Sequence, residues 1–384
     1  MRKIGLVTVG RSDYGTCRRL LKALAESEKC EAWLYVAGAH LSELSGNTVS
    51  EIEADGFEIR ERVEMVPASD RPGAIASSVG EGMSSFASLF EKEVPDILVV
   101  VGDRTELLAV VSAALPFRIP VAHLSGGEIS EGATDDMVRH AVTKLSHIHF
   151  PTNEQHGERV CQLGEEASRV YSVGDPALDR LSEPPGMDRR QLEESLGIKL
   201  VPPVVVVTHH PLTQGAESND EVDELIAAMS SVEATWVITF PNADRGAQGI
   251  IDRFRDFAAE NQQAVFLPSL GQERYYSLLG EADGMLGNSS SGIWESASFE
   301  LPVVNVGDRQ KGRMRERNVL DSVPESGKIE RQLKVALGSE FRAGLKGLKN
   351  PYGAGNAAKQ IVKVLENLKI DEALLRKPFV DWKK

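Results

Sequence analysis

Cysteine, basic charge and long apolar runs are all scarce in this chain of 384 residues. Its three cysteines, Cys17, Cys30 and Cys161, are odd in number and lack C-x-x-C spacing, which speaks against a disulfide framework and gives no zinc pattern. No stretch approaches the roughly 20 apolar residues that span a bilayer, so no membrane partner is expected. The apolar residues behind Met1-Arg2-Lys3 are too short a run for a signal peptide, and Asp13 and Arg18-Arg19 arrive before any small-residue cleavage site. They read as a first buried strand of a cytoplasmic protein. Lys and Arg number 43 against 57 Asp and Glu, a net charge of −14. A duplex-binding surface needs the opposite surplus to displace counterions, so no nucleic-acid partner is expected. An anionic small molecule stays open where cations and helix N-termini are gathered locally.

Short Val/Ile/Leu runs alternate with longer amphipathic stretches along the whole chain. Strand candidates in the first half are residues 4–9, 31–37, 97–102, 120–123, 147–151 and 170–173, with helical patterns over 14–26, 73–92, 105–115 and 135–145. Continuously apolar strands separated by helices indicate a parallel sheet covered on both faces. The rhythm breaks over 175–203, where Glu183-Pro184-Pro185-Gly186 and Val201-Pro202-Pro203 fall. Proline cannot donate to a sheet and restricts its predecessor, so a domain boundary is expected there, with domains of 1–175 and 176–365. A second series follows, with strands over 204–208, 235–240, 264–267, 284–286 and 302–306 and helices over 221–229, 250–259 and 357–368. The fold class is α/β, two Rossmann-like doubly wound domains facing a cleft. In such sheets ligands sit beyond the C-terminal strand ends.

Seven loops fall at those ends, among them Phe240-Pro241-Asn242-Ala243-Asp244-Arg245 in the second half. Gly10-Arg11-Ser12-Asp13-Tyr14-Gly15 leads into a helix, where Arg11 and the helix N-terminus suit a phosphate, or where Asp13 or Ser12 simply caps the helix. Gly102-Asp103-Arg104 delivers a carboxylate and a guanidinium, with helix capping as the plainer role for Asp103. His123-Leu124-Ser125-Gly126-Gly127-Glu128 is followed by Asp135-Asp136 opening a helix with Arg139 and His140. Gly126-Gly127 lets a backbone approach a ligand closely. Converging carboxylates from separate loops would raise one another's pKa and divide acid and base work. In the second domain, side chains of adjacent residues in His209-His210-Pro211 point apart, which favours one cleft-facing and one packed histidine over a metal pair. Gly287-Asn288-Ser289-Ser290-Ser291-Gly292 with Glu295 runs from a strand into a helix, so backbone N–H groups and hydroxyls can cradle a diphosphate, or a serine cluster caps the helix. Asn305-Val306-Gly307-Asp308-Arg309 puts a cation on the last loop.

Together these motifs resemble the UDP-N-acetylglucosamine 2-epimerases over nearly the whole chain, from Arg11-Ser12-Asp13-Tyr14 through His40…Gly46-Asn47-Thr48 to Asn350-Pro351-Tyr352-Gly353. Non-hydrolysing relatives tend to carry His-Arg-Arg-Glu where this chain has His210-Pro211-Leu212-Thr213, so the resemblance is to the hydrolysing branch of sialic- and legionaminic-type pathways. It implies a glycosyltransferase-B-like fold in which the C-terminal domain holds the nucleotide, and a last helix, about 366–384, that packs back on the first domain. The implied catalytic residues are Asp103, Asp135 and His210. Family members commonly place a Glu two residues after the His of the third loop, where this chain has Ser125, and Glu128 is the nearest substitute. Implied UDP contacts are Arg11, His40, Arg104, Asn242, Asn288, Ser289, Ser290, Glu295 and Arg309. No cofactor and no metal are implied, and a homodimer is what the family suggests.

The implied reaction eliminates UDP from UDP-N-acetylglucosamine to a 2-acetamidoglucal and hydrates it to free N-acetylmannosamine. C2–H is not acidic, so a base must act while the leaving diphosphate is stabilised. The same chemistry on a UDP-2,4-diacetamido-2,4,6-trideoxy sugar is the alternative substrate. A glycosyltransferase or a non-catalytic nucleotide-sugar sensor is the alternative of another class.

Overall fold

The computed structural model describes residues 1–42, 48–69, 71–130, 134–184, 186–211, 219–241 and 246–381. The chain divides into two compact units, Met1–Ser182 with Tyr352–Lys384, and Glu183–Pro351. Each is built on one all-parallel sheet of six strands. In the first these are β1 (Arg2–Thr8), β2 (Cys30–Ala37), β3 (Ile59–Val63), β4 (Ile97–Val101), β5 (Val121–Leu124) and β6 (Ile148–Phe150), in spatial order 3-2-1-4-5-6. In the second they are β7 (Val204–Thr208), β8 (Thr235–Thr239), β9 (Ala264–Leu267), β10 (Gly284–Gly287), β11 (Val303–Val306) and β12 (Val319–Ser322), in order 12-11-10-7-8-9. Counted from its own first strand, the second sheet repeats the order of the first. The chain reverses its direction of travel between β1 and β4, and again between β7 and β10. Loops leaving those four strands flank the topological switch points where this fold takes ligands.

Central strands such as β4, Ile-Leu-Val-Val-Val, and the first four residues of β7, Val-Val-Val-Val, are buried because helices cover both faces of each sheet. Four apolar clusters follow, one per sheet face. The strands that sequence periodicity does not reveal, β3 (Ile-Arg-Glu-Arg-Val) and β12 (Val-Leu-Asp-Ser), each form one edge of their sheet, β6 and β9 forming the other edges. Charges on β3 and β12 face water and discourage pairing with another chain, which also hides them from a hydropathy search. Conversely, residues 170–173 form no strand; Val170 makes a single bridge to His149.

The first unit extends further at both breaks than a division at 175/176 and 365/366 expects. Asp179, in the short 3-10 segment Pro176–Ser182, accepts the N–H groups of Ala357 (2.8 Å) and Ala358 (2.7 Å), capping the returning helix Ala357–Asn367 from outside. The Asp175 N–H donates to Tyr352 O at 2.7 Å. Ile361, Val362 and Leu365 of that helix join Leu20, Leu21 and Leu24 of the helix Arg11–Ala25 in one core. Burying each such side chain contributes about 1.5–3 kcal/mol, so the helix belongs to the first unit from its first turn. Beyond it, the Lys377 ammonium donates to Lys144 O (2.6 Å), Ser146 O (2.8 Å) and the Glu165 carboxylate (2.9 Å). Burial pushes the Glu165 carboxyl up, but hydrogen bonds from His149, Lys144 and Lys377 outweigh it and hold the group down at about 2. Among the described residues no helix is long and apolar enough to cross a membrane.

Candidate functional site

In the first unit the loops after β1, β4 and β5 gather around two arginines. Arg139, only 3% exposed in the helix Thr134–Leu145, reaches back to the Asp103 carboxylate, to Glu128 O (3.0 Å) and to Ser130 Oγ (3.1 Å), with Asp136 Oδ1 at 3.6 Å. Asp103 is therefore not a helix cap; the helix Glu106–Ala114 starts from Thr105. One guanidinium sets the geometry of the Asp103 loop, the Glu128 loop and the helix that carries Asp135 and Asp136. Asp136 also accepts the Ser130 N–H at 2.8 Å and lies 3.5 Å from His140 Nε2, while Asp135 stays exposed on the first turn. The Glu128 carboxylate turns to Thr152, whose hydroxyl lies 3.3 Å from Oε1 and 2.8 Å from His156 Nδ1.

Arg104 lies over Gly10, where an added Cβ would meet its Cζ and Nε at 3.3 Å, and donates to Glu106 Oε1 at 2.8 Å. Gly10 has an ordinary extended backbone, so it is the close approach of the guanidinium that calls for glycine. Arg11 points largely to solvent, 3.6 Å from Glu51. His40, expected among the UDP contacts, is instead fully buried, with Nε2 2.9 Å from Thr8 Oγ1 and Nδ1 2.8 Å from Thr48 Oγ1. Burial, with the Arg104 charge nearby, lowers it to about 4, so the ring is neutral. Gly126 and Gly127 pack against protein rather than opening space for a ligand. Gly127 has φ +81° and an added Cβ would lie 2.2 Å from His156 O. Gly46 and Asn47 lie outside the described residues.

In the second unit the adjacent His209 and His210 are both buried, with Glu221 beside the first and Arg309 beside the second. His209 is fully buried, 3.4 Å from Glu221 Oε2, and His210 is 8% exposed. Asn288 clips the His210 backbone at both ends, accepting its N–H at 2.6 Å and donating to its carbonyl at 2.9 Å. The Asn288 carbonyl in turn accepts Gln310 Nε2 (2.8 Å) and Arg309 Nη1 (3.2 Å). The Asn288 side chain thus clamps the His210 backbone while its backbone carbonyl holds Arg309, which brings His210 and Arg309 together. Burial, then the Arg309 charge and His209, lower His210 to about 4, leaving a neutral imidazole beside a cation. Ser289 and Ser290 follow, and the Ser291 N–H reaches Ser289 Oγ at 3.3 Å before the single helical turn Ser291–Trp294. Glu295 ends that turn near the half-buried Tyr275, whose phenol is pushed up by desolvation first and by Glu295 second. Asn242 lies outside the described residues.

Of the residues that organise these two clusters, the sequence offers Asp13 only as a helix cap and Arg139 only as a motif neighbour, and it gives Glu106 and Gln310 no role. An arginine inside an otherwise amphipathic helix face was the available signal for Arg139. Among the described residues, no group of three or more His, Cys, Asp or Glu converges as a metal site would require.

Two doubly wound units with polar clusters at their switch points define a glycosyltransferase-B-like α/β protein. Its fold matches that of the Neisseria meningitidis UDP-N-acetylglucosamine 2-epimerase crystallised with UDP-GlcNAc, with a TM-score of 0.78 and 17% identity over 94% of this chain and 99% of that one. The family model for UDP-N-acetylglucosamine 2-epimerase matches residues 22–366. A Campylobacter jejuni GDP/UDP-N,N'-diacetylbacillosamine 2-epimerase (hydrolyzing) is 35% identical over 99% of this chain and 99% of its own. A Legionella pneumophila UDP-N,N'-diacetylbacillosamine 2-epimerase (hydrolyzing) is 35% identical over 98% and 99%. The chain belongs to the UDP-N-acetylglucosamine 2-epimerase family, in its hydrolysing branch, and is an enzyme.

Proposed function

We propose that this enzyme hydrolyses UDP-N,N'-diacetylbacillosamine, a UDP-2,4-diacetamido-2,4,6-trideoxyhexose, releasing UDP and the free sugar inverted at C2. The observation that carries the substrate is the 35% identity, end to end, with the two hydrolysing diacetylbacillosamine enzymes, against 28% over 86% of this chain for a Neisseria meningitidis enzyme named for UDP-N-acetylglucosamine. UDP-N-acetylglucosamine, the first expectation from sequence, becomes the second reading.

A base takes the proton from C2 as the C1–O bond to the diphosphate breaks, giving UDP and a 2-acetamidoglucal. Water then adds at C1 and a proton returns to C2 on the opposite face. Arg139 holds the Asp103 carboxylate in place, and Asp103 is the proton acceptor in this scheme. Asp135 and Glu128 return the proton and activate the water. Arg309 and the Ser289–Ser290 turn of the second unit hold the diphosphate, and His210, neutral beside Arg309, donates or accepts a hydrogen bond without adding charge.

Incubation with each sugar nucleotide in deuterated water tests the scheme. UDP should be released without any acceptor, and NMR should find one deuterium at C2 of the product, because the returning proton comes from solvent. Product with protium at C2 removes the elimination route; UDP release only with an acceptor makes the protein a transferase. The kcat/KM for the diacetamido substrate should exceed that for UDP-N-acetylglucosamine by about 100-fold or more, because groups shaped for a second acetamido are left unpaired by a hydroxyl. Arg309→Ala should weaken UDP binding roughly 10- to 100-fold in calorimetric titration, the worth of one charge-assisted hydrogen bond. Unchanged affinity would remove Arg309 from the diphosphate site.

A further inference from the structure

Asp13 sits on the third residue of the helix Arg11–Ala25 and is 5% exposed. It does not cap that helix; Gly10 precedes the helix without a side-chain cap. One carboxylate oxygen, Oδ2, accepts the Val9 N–H at 2.8 Å and the Thr8 hydroxyl at 3.0 Å. The other, Oδ1, is buried and has no hydrogen-bond partner among the described residues. Arg104 Nε is also buried and without a partner among them, while the rest of that guanidinium rests on Gly10 and Glu106. A buried acceptor and a buried donor, both unsatisfied, stand at the end of β1 beside the β1/β4 switch point. Leaving each unmade is costly.

We propose that Asp13 is a positioning residue of the reaction, whose buried negative charge orients the Arg104 guanidinium in the first unit's cluster. This rests on the hydrolytic epimerase reading above. The hydrogen-bond chain is consistent with an ionised Asp13. Thr8 gives its only proton to Asp13, so His40 Nε2 donates to Thr8 and His40 Nδ1 accepts from Thr48.

Burial pushes the Asp13 carboxyl up to about 6, against the lowering effects of the Val9 and Thr8 hydrogen bonds and the Arg104 charge. The groups facing Asp13 are Arg104 from the loop after β4, His40 beyond Thr8 from the turn after β2, and Cys17 on its own helix. Arg104 in turn faces Glu106 and Asp135. His40 is held neutral by burial and the Cys17 thiol is pushed up by burial, so neither changes charge near pH 6. Asp13 therefore loses its charge as pH falls through about 6, and its hold on Arg104 with it. The sign for stability is opposite. An acid whose folded value lies above its ordinary one stabilises the fold at low pH, and that contribution disappears as pH rises through about 6.

Asp13→Asn keeps the shape and an acceptor for Val9 and Thr8 but removes the charge. Its kcat at pH 8, counted per UDP-binding site, should fall about 10-fold or more, and the rise in activity through pH 6 should flatten. Its Tm at pH 8 should be no lower than the wild type's. A residue that only props the fold would lower Tm and leave kcat per binding site intact, and that pattern overturns the proposal. In an Arg104→Gln background, Asp13→Asn should cost little more, because its effect passes through Arg104; full additivity overturns it. Should Asp13→Asn not bind UDP, Asp13→Glu carries the test: the charge is kept, so the acid limb should persist, and a flat profile counts against the role. Wild-type turnover with an unaffected Asp13→Asn ends the Asp13 assignment alone. A wild type that releases no UDP from either sugar nucleotide ends the substrate reading and this role together.

Discussion

Replacing Asp103 by Asn is expected to lower kcat about 1,000-fold or more, while KM and the affinity for UDP change by no more than a few-fold. Asn can still accept one hydrogen bond from Arg139, so the three-loop arrangement around that guanidinium survives. What disappears is the negative charge and with it the ability to take a proton. The loss of stability should be modest, roughly 1 kcal/mol, because Asp103 is partly exposed and its pairing is screened accordingly. Asp103→Ala is the harsher change, leaving the buried Arg139 without its carboxylate. Steady-state kinetics with both variants, alongside thermal unfolding, separates the chemical from the structural contribution. A kcat within 10-fold of wild type for Asp103→Asn would move the proton acceptor elsewhere, with Glu128 next to be substituted.

Gly287→Ala should abolish UDP binding and lower Tm by roughly 10 °C or more. Gly287 closes β10 at the second switch point with φ +127°, a region that L side chains rarely adopt, and an added Cβ would lie 2.0 Å from Thr208 O on the adjacent β7. Backbone cannot yield there without parting the two central strands. Asn288, the next residue, would then lose its two-ended clamp on His210 and its contact with Arg309. The damage therefore reaches the anion-holding groups as well as the core. Gly280→Ala serves as the control: it meets nothing within 4 Å on the exposed face of the helix Gly271–Glu281 and should be neutral or stabilising by about 0.5–1 kcal/mol. Scanning calorimetry and UDP titration of both variants give the comparison. A Gly287→Ala protein that melts within about 2 °C of wild type and binds UDP would contradict the close packing described for β7 and β10.

Much of this architecture is legible in the amino-acid order because buried parallel strands advertise themselves. The runs that form β7 and β9 coincide with their sequence candidates residue for residue, and β4 differs by one. The edge strands β3 and β12 do not advertise themselves, since β3 carries Arg-Glu-Arg where a central strand would carry valines, whereas the edge strand β9, Ala-Val-Phe-Leu, does. Residues 170–173 look like a strand and make one bridge only, because hydropathy reports burial and not pairing. For the site, the strand-end loops could be found, but not which side chains in them are spoken for. Asn288 and His40 both have the chemistry of ligand contacts, yet packing uses Asn288 to fasten His210 and surrounds His40 with threonines. Arg139 and Asp13 act through partners 36 residues away or through a neighbouring loop, and such convergence is written only in three dimensions.

The return of Ala357–Asn367 to the first unit has a consequence for synthesis. A ribosome would release all of β1 to β6, and then the entire second sheet, before the residues that seal the groove beside Leu20, Leu21 and Leu24 emerge. Until then the nascent first unit carries an open apolar furrow, and Asp179 waits for the amides of Ala357 and Ala358 that will occupy its carboxylate. The inserted unit can mature on its own schedule, whereas its host remains unfinished until residues 357–367 have been made.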